Sequence, residues 1–389
     1  MSDPRVAGVG LTHFGKHPER TGRDLFAEAG LDALDDAGID RDDVSALYYG
    51  NFMGEMAEHQ GHQGPLMAEA VGLDVPATRY ESACASAGAA VREAVKDVRN
   101  GEADVVLVGG AERMTNIGTA AATEALAIAA DDLYEIRAGM TFPGAYALMA
   151  RSYFEQYGGE PEDLAHIAVK NHEHALVNEH AQLQREITVE DALEAPSIAS
   201  PLRLYDSCPI TDGASAAVLV SEEYAADHDL DAGVAVTGTG QGGDKMALHD
   251  REFLARTPAA DAAAAQAYDD AGIGPDDVDF AEVHDCFTIA EVLALESLGF
   301  YDVGEAIGAA RRGETNRHGD LPVNLSGGLK AKGHPVGATG VSQLVAVASL
   351  LDGSHPRAED VADASVGVAH NAGGTVASAT VHILEEVAE

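Results

Sequence analysis

Basic residues are scarce in this chain: 24 lysines and arginines stand against 65 aspartates and glutamates, a formal net charge of −41, and only six residues are lysine. A charge of that sign repels phosphate backbones and anionic headgroups, which disfavours nucleic acid and membrane surfaces as partners. Long apolar runs are missing as well; nothing approaches the roughly 20 residues needed to cross a bilayer. The opening segment MSDPRVAGVGLTHFG has no basic leader and no apolar core, so no secretory signal is expected and the expected location is cytoplasmic. Cysteine is sparse. Cys84, Cys208 and Cys286 are odd in number and widely spaced, which argues for reduced thiols rather than a disulfide framework.

The acidic groups are dispersed, in segments such as DALDDAGIDRDD and AYDDAGIGPDDVD. A dispersed excess marks an acidic surface on a folded protein rather than a disordered tail. Self-repulsion at this charge opposes compaction at low salt. At 1 M salt the screening length falls to about 3 Å, so a halophilic protein is expected. The length, 389 residues, suffices for two domains with a large core.

The chain repeats itself. LDALDDAGIDRDDVSALYYGN (31–51) matches AQAYDDAGIGPDDVDFAEVHD (265–285), with Gly38 aligned on Gly272. Each copy reads as an amphipathic helix ended by Ala-Gly-Ile, an acidic turn, and a β-rich strand. Two fainter echoes follow in register. CASAGAAVREAVKDV (84–98) pairs with GHPVGATGVSQLVAVASLL (333–351), and ADVVLVGGAE (103–112) with ADASVGVAHNAGG (362–374). These predict an α/β fold with mostly parallel sheets, an N-terminal half over 1–225 and a C-terminal half over 232–389. Residues of about 113–200 fit neither copy and read as a loop domain inserted in the first half.

Four segments can carry chemistry. Cys84 opens a helix whose first turn is all small residues, so unpaired N–H groups and the helix dipole would favour its thiolate. In NLSGGLKAKGHPVGATG (324–340), five glycines and Pro335 shape a tight loop that presents His334. By the repeat, its helix start is the counterpart of the Cys84 helix start, which brings nucleophile and base together. His370 ends a strand before Gly373-Gly374, a turn whose N–H groups can form an oxyanion hole. His284 emerges from a strand end in EVHDCFTIAE (282–291). Three other features are set aside. GTGQGG (238–243) lacks the helix a dinucleotide-binding turn requires. His172, His174 and His180 read as surface histidines, and Cys208 and Cys286 as structural thiols.

CAS (84–86), HDCF (284–287), GHPVGATG (333–340) and HNAGG (370–374), in that order, resemble the thiolase superfamily. They are most similar to its sterol-carrier-protein-2 type and archaeal members. The resemblance covers essentially the whole chain. It implies two duplicated βαβαβαββ halves in a five-layer αβαβα arrangement, and reversible thiolytic cleavage or Claisen condensation of a 3-ketoacyl-CoA. It further implies that Cys84 is acylated, that His334 activates it, and that His284 helps bind the thioester oxygen. The N–H groups of Cys84 and of Gly373-Gly374 would hold the other oxyanion, with Asn371 and Ser326 among the substrate-binding residues. Many thiolases have a second cysteine where this chain has His370; an imidazole can shuttle the α-carbon proton there. That exchange leaves a decarboxylating ketoacyl-synthase-like enzyme or a lipid carrier as alternatives. Lys330 and Lys332 are expected to supply positive charge near the coenzyme A entrance. No metal or other cofactor is called for, coenzyme A being a substrate. The resemblance also implies a homodimer or tetramer and a small zinc-binding OB-fold partner.

Overall fold

Alternation of half-buried and buried side chains along RVAGVGL makes the first strand, β1 (Arg5–Leu11), in a computed structural model that describes residues 2–387. Helix α1 (Gly22–Ala37) follows, started by a Thr21–Asp24 capping box and stopped at Gly38, which takes a left-handed φ of 64°. The first half continues through β2 (Ala46–Gly50), α2 (Gln63–Val71), β3 (Ala77–Tyr80), α3 (Ser86–Arg99) and β4 (Val105–Glu112). An excursion carrying α4 (Gly118–Ala127), α5 (Phe142–Tyr157) and α6 (Pro161–Ala175) then returns to β5 (Gly213–Val220). The inserted region thus fills the whole span between β4 and β5, slightly more than the sequence suggests.

The second half repeats the scheme with β6 (Val234–Gly243), α7 (Pro258–Ala271), β7 (Phe280–Glu282), α8 (Thr288–Ser297), α9 (Thr339–Leu351), β8 (Val366–Gly373) and β9 (Ser378–Glu386). Gly272 ends α7 with a φ of 75°, as Gly38 ends α1. The strand order is β3-β2-β4-β5-β1-β6-β9-β8-β7, so the halves mirror each other about the β1–β6 junction. That junction is short: Arg5 faces Ala235 and Val6 faces Val234. The counterpart of β3 in the second half has shrunk to a bridge between Val323 and Ala281.

The sheets are mixed rather than mostly parallel. β2–β3, β2–β4 and β7–β8 run parallel, while β5 and β9 return antiparallel to their neighbours. β9 follows β8 by a hairpin, which makes the pair antiparallel, and the excursion after β4 brings β5 back in the opposite direction.

Five layers result. α1 and α2 cover the outside of the first sheet through Leu25, Phe26 and Met67 against Leu47 and Leu107. α3 and α9 fill the middle, where Val91, Val95, Val341 and Leu344 meet Val108 of one sheet and Leu384 of the other. α7 and α8 cover the far side through Ala263 and Leu293. The GTGQGG run lies in β6 and forms no nucleotide turn: a side chain at Gly238, Gly240 or Gly242 would run into the carbonyls of Ala267, Ala263 or Ala259. Alternate glycines there let an alanine-rich helix sit directly on the strand.

Candidate active site

Helices α3 and α9 cross where neither has a side chain. A Cβ on Gly340 would strike the backbone nitrogen of Gly88, so the two helices meet backbone to backbone at their first turns. Close approach at that point draws their N-terminal lead-ins together. Cys84 stands two residues before α3 and His334 five before α9.

Ala83 turns the chain into the nucleophile with a φ of 50°, a left-handed conformation that costs an L-residue roughly 1–2 kcal/mol. Ser86 compensates: its hydroxyl accepts the Ser82 N–H at 2.9 Å and donates to the Ala83 carbonyl at 2.6 Å. The sulfur of Cys84 and one ring nitrogen each of His284 and His334 all lie within 4.8 Å of one another. The His284 and His334 rings are edge to face, with centroids 5.0 Å apart.

The hydrogen bonds settle which nitrogen of each ring carries the proton. The Thr339 hydroxyl donates to the Pro335 carbonyl at 3.0 Å, so it accepts at 2.7 Å from His334 Nδ1–H. This leaves the His334 Nε2 lone pair free. Asn371 Nδ2 donates to His284 Nδ1 at 3.1 Å, which puts the His284 proton on Nε2, where it has no partner. His370 Nδ1 accepts the His284 backbone N–H at 3.4 Å, and its Nε2 is likewise buried and unpartnered. The site therefore offers one proton acceptor and two N–H donors from three neutral imidazoles.

Burial keeps them neutral. It lowers His334 to about 3 and His370 to about 4, and drives His284 well below the ordinary imidazole value, with the other two rings adding to that effect. Burial also pushes the Cys84 thiol up to about 12, although a Gly374 N–H and its own N–H pull the other way. The expected thiolate-favouring N–H groups are present, yet desolvation outweighs them. The free site holds a thiol facing a neutral base, so ionisation waits on substrate.

The HNAGG turn is held from outside. Gly374, at φ 62°, has its carbonyl bound by the Tyr146 hydroxyl at 3.0 Å. Arg251 donates to the Thr375 carbonyl at 2.6 Å and to its hydroxyl at 3.2 Å. Gly373 packs so tightly on the Ser82 carbonyl that no side chain would fit.

Sequence reasoning passed over Glu112. At the end of β4 its buried carboxylate accepts N–H groups from Phe52, Met53 and Gly337 at 2.9–3.0 Å, and the Asn51 amide at 2.7 Å. It ties the GHP loop to the first half, and burial raises it to about 7. A lone acid closing the apolar run VVLVGGAE was the available signal. Tyr146, Arg251 and Thr339 left none.

Other expectations need correction. Lys330 and Lys332 are each 1% exposed and cannot meet phosphates at an entrance. The 328–332 segment forms a π-type turn whose N–H groups at Leu329 and Lys330 bind the Asp285 carboxylate at 2.6 and 3.2 Å. Lys330 answers the buried charges of Asp285 and Asp206 and is pushed down to about 8 by burial. Ser326 is buried too, with its hydroxyl on Glu282 at 2.6 Å, so it fixes this loop. His172 and His174 are interior rather than surface residues, at 1% and 0% exposure. Each donates its Nδ1–H, to the Arg185 and Asn324 carbonyls respectively, and they do not gather as metal ligands.

A thiol, an imidazole base and converging N–H donors on a duplicated five-layer α/β frame define a cysteine-dependent acyl-transfer enzyme. The family model described as thiolase, N-terminal domain matches residues 6–223, and the one described as thiolase C-terminal domain-like matches 240–386. The acetyl-CoA acetyltransferase of Methanothermobacter thermautotrophicus is 42% identical over 98% of this chain and 99% of that protein. The benzoylsuccinyl-CoA thiolase subunit BbsB of Thauera aromatica is 35% identical over 95% and 94%. A solved Ltp2-ChsH2(DUF35) aldolase superposes with a TM-score of 0.84 at 27% identity, covering 99% of this chain and 98% of that one. The chain belongs to the thiolase family and is an acyltransferase of that family.

Proposed function

We propose that this protein cleaves and forms the carbon–carbon bond of short 3-ketoacyl-CoA thioesters, acetoacetyl-CoA first among them, through an acyl-Cys84 intermediate. The observation that carries the reading is the Cys84 sulfur beside the free lone pair of His334. In the cleavage direction His334 Nε2 takes the thiol proton and the sulfur attacks the 3-keto carbon. The oxyanion that forms is held by the Cys84 and Gly374 N–H groups. The bond between C2 and C3 then breaks, and its electrons pass into the thioester as an enolate whose oxygen accepts from His284 Nε2–H. His370 handles the proton at C2. Coenzyme A thiol finally attacks the acyl-cysteine and frees the sulfur.

Acetoacetyl-CoA plus coenzyme A in molar KCl should yield two acetyl-CoA, and Cys84→Ala should abolish it. Mass spectrometry should find an acetyl group on Cys84. A carrier would gain none, and a decarboxylating enzyme would need a malonyl thioester; either result sinks the reading. Molar salt belongs in the assay because the −41 charge fits a halophilic, cytoplasmic protein.

A homodimer or tetramer is part of this proposal. The outer edge of β3 pairs with no strand among the described residues, and a second copy can continue the sheet there. So is a small zinc-binding OB-fold partner. With Lys330 and Lys332 buried, neither can meet the coenzyme A phosphates, and a partner can supply that charge. The name of the solved aldolase pairs it with a DUF35 component.

A further inference from the structure

All three cysteines of the chain converge on one place, although 78 positions or more separate them in sequence. Ser207 and Phe287 form an antiparallel bridge, and the Cys208 N–H donates to the Cys286 carbonyl at 3.0 Å. Cys208 and Cys286 are therefore directly opposed. Opposed residues of a hydrogen-bonded antiparallel pair share a face, with Cα atoms about 5.5 Å apart. A disulfide favours about that separation. Both are free thiols.

The pair adjoins the nucleophile. The Cys286 sulfur lies against the Tyr146 hydroxyl. That hydroxyl donates to the carbonyl of Gly374, whose N–H faces the Cys84 sulfur. Cys84 in turn is among the charges felt by both Cys208 and Cys286. Cys84 has a base, His334, within reach; neither Cys208 nor Cys286 belongs to that cluster. Cys84 is thus the thiol that meets an electrophile first.

We propose that Cys208 and Cys286 are a resolving dithiol, a site of reversible oxidative modification that returns an oxidised Cys84 to its thiol. A hydroperoxide, the oxidant, transfers one oxygen to the Cys84 sulfur as His334 takes the thiol proton and passes it to the departing oxygen, giving sulfenic acid and an alcohol or water. The Cys286 thiol displaces the sulfenic hydroxyl as water and forms a Cys84–Cys286 disulfide. The Cys208 thiol then attacks the Cys286 sulfur, expelling Cys84 as thiolate and leaving a Cys208–Cys286 disulfide. In sum, two thiols lose two electrons and two protons, and the peroxide is reduced.

The cross-link has a catalytic consequence. It joins the HDCF turn to the 207–211 segment, where Thr211 accepts the His334 N–H at 3.0 Å and Ile210 bridges to His334. Activity falls until an external dithiol reduces the bond.

The inference rests on Cys84 being the nucleophile, and its readout is separate from turnover. The reduced full-length protein in molar KCl is treated with hydrogen peroxide, alkylated, digested and mapped by mass spectrometry. The wild type should give linked Cys208 and Cys286 peptides, an alkylatable Cys84, and activity restored by dithiothreitol. Cys208→Ser should keep its untreated activity and stop at the Cys84–Cys286 disulfide. The Cys208→Ser, Cys286→Ala double variant should lose Cys84 irreversibly to the sulfinic and sulfonic acids. If the wild type gives no linked peptide and its Cys84 is lost as fast as in the double variant, the proposal is wrong. Failure of the functional reading would show separately, as a Cys84 that acetoacetyl-CoA leaves unacylated.

Discussion

Thr339 fixes the proton of His334: Nδ1 lies 2.7 Å from a hydroxyl already committed to the Pro335 carbonyl. The contact does more than hold a ring. It decides that Nε2 is the basic nitrogen and aims it at Cys84. Thr339→Val keeps the shape and removes the acceptor. Turnover should fall about tenfold, the worth of one buried hydrogen bond, with KM nearly unchanged. A rise in KM with turnover intact would mean that Thr339 serves substrate binding instead.

Tyr146 acts on the opposite wall. Its hydroxyl holds the Gly374 carbonyl at 3.0 Å, so Tyr146→Phe loosens the residue whose own N–H, in the preceding peptide, is turned to the reacting oxygen. The ring stacks on Phe287 with centroids 4.7 Å apart, and phenylalanine preserves that packing. The acylation rate in single-turnover experiments should drop about tenfold, while the unfolding midpoint stays close to the wild-type value. An equal loss in both would assign the residue to stability alone.

Acid should unfold this protein through its imidazoles. In the folded chain burial holds His334 near 3 and His370 and His382 near 4, below the ordinary value of 6.5. The unfolded chain therefore binds more protons between about pH 4 and 6.5. Stability is complete above 6.5 and drains away as pH falls through that window, by up to about 3 kcal/mol for each histidine. Glu112, raised to about 7, works in the opposite sense between its ordinary value and 7, because the folded state holds its proton more tightly. Asp285, also raised to about 7, acts with it, as do Asp206 and Glu296, which burial raises; the buried histidines outnumber these carboxyls. Urea midpoints at pH 7, 6 and 5 should decline, and His382→Gln should flatten the decline; a midpoint that rises on acidification would refute this.

The interior lysines carry a test of their own. Lys170 pairs with Glu291 at 2.7 Å, both almost wholly buried, and also donates to the Val323 carbonyl. Lys170→Met strands that carboxylate and should cost about 3 kcal/mol in urea unfolding. Lys330→Ala and Lys332→Ala should likewise lower stability and leave the KM for coenzyme A unchanged. A selective rise in that KM would return these two side chains to substrate binding.

The repeat was legible because it is written in local signals. Gly38 and Gly272 end matching helices, and the acidic turns after them need only their immediate neighbours. Cys84, His334 and His370 were legible for a similar reason, since each sits at a junction marked by small residues or glycine. What escaped depends on partners far along the chain. Lys170 looks like a surface residue until Glu291 is known to face it from 121 positions away. Lys330 and Lys332 look solvated because a glycine-rich stretch gives no apolar periodicity, yet the Asp285 carboxylate folds that stretch inward. The direction of β5 and β9 was hidden for want of any sequence mark that tells a return strand from a crossover.

The bare crossing of α3 and α9 has a consequence for how such a molecule can vary. The missing side chain of Gly340 sets the spacing of the machinery, since its Cβ would strike the Gly88 backbone. A methyl there would wedge the central pair apart and carry the sulfur away from its base, however well the rest folded. Gly88 is held differently: a methyl on it would run into Thr380 and Asn371, the residue that fixes the His284 proton. Each copy of the repeat is free to diverge at its surface, its insertions and even its strand count, but at this crossing a change in one helix disarms the other.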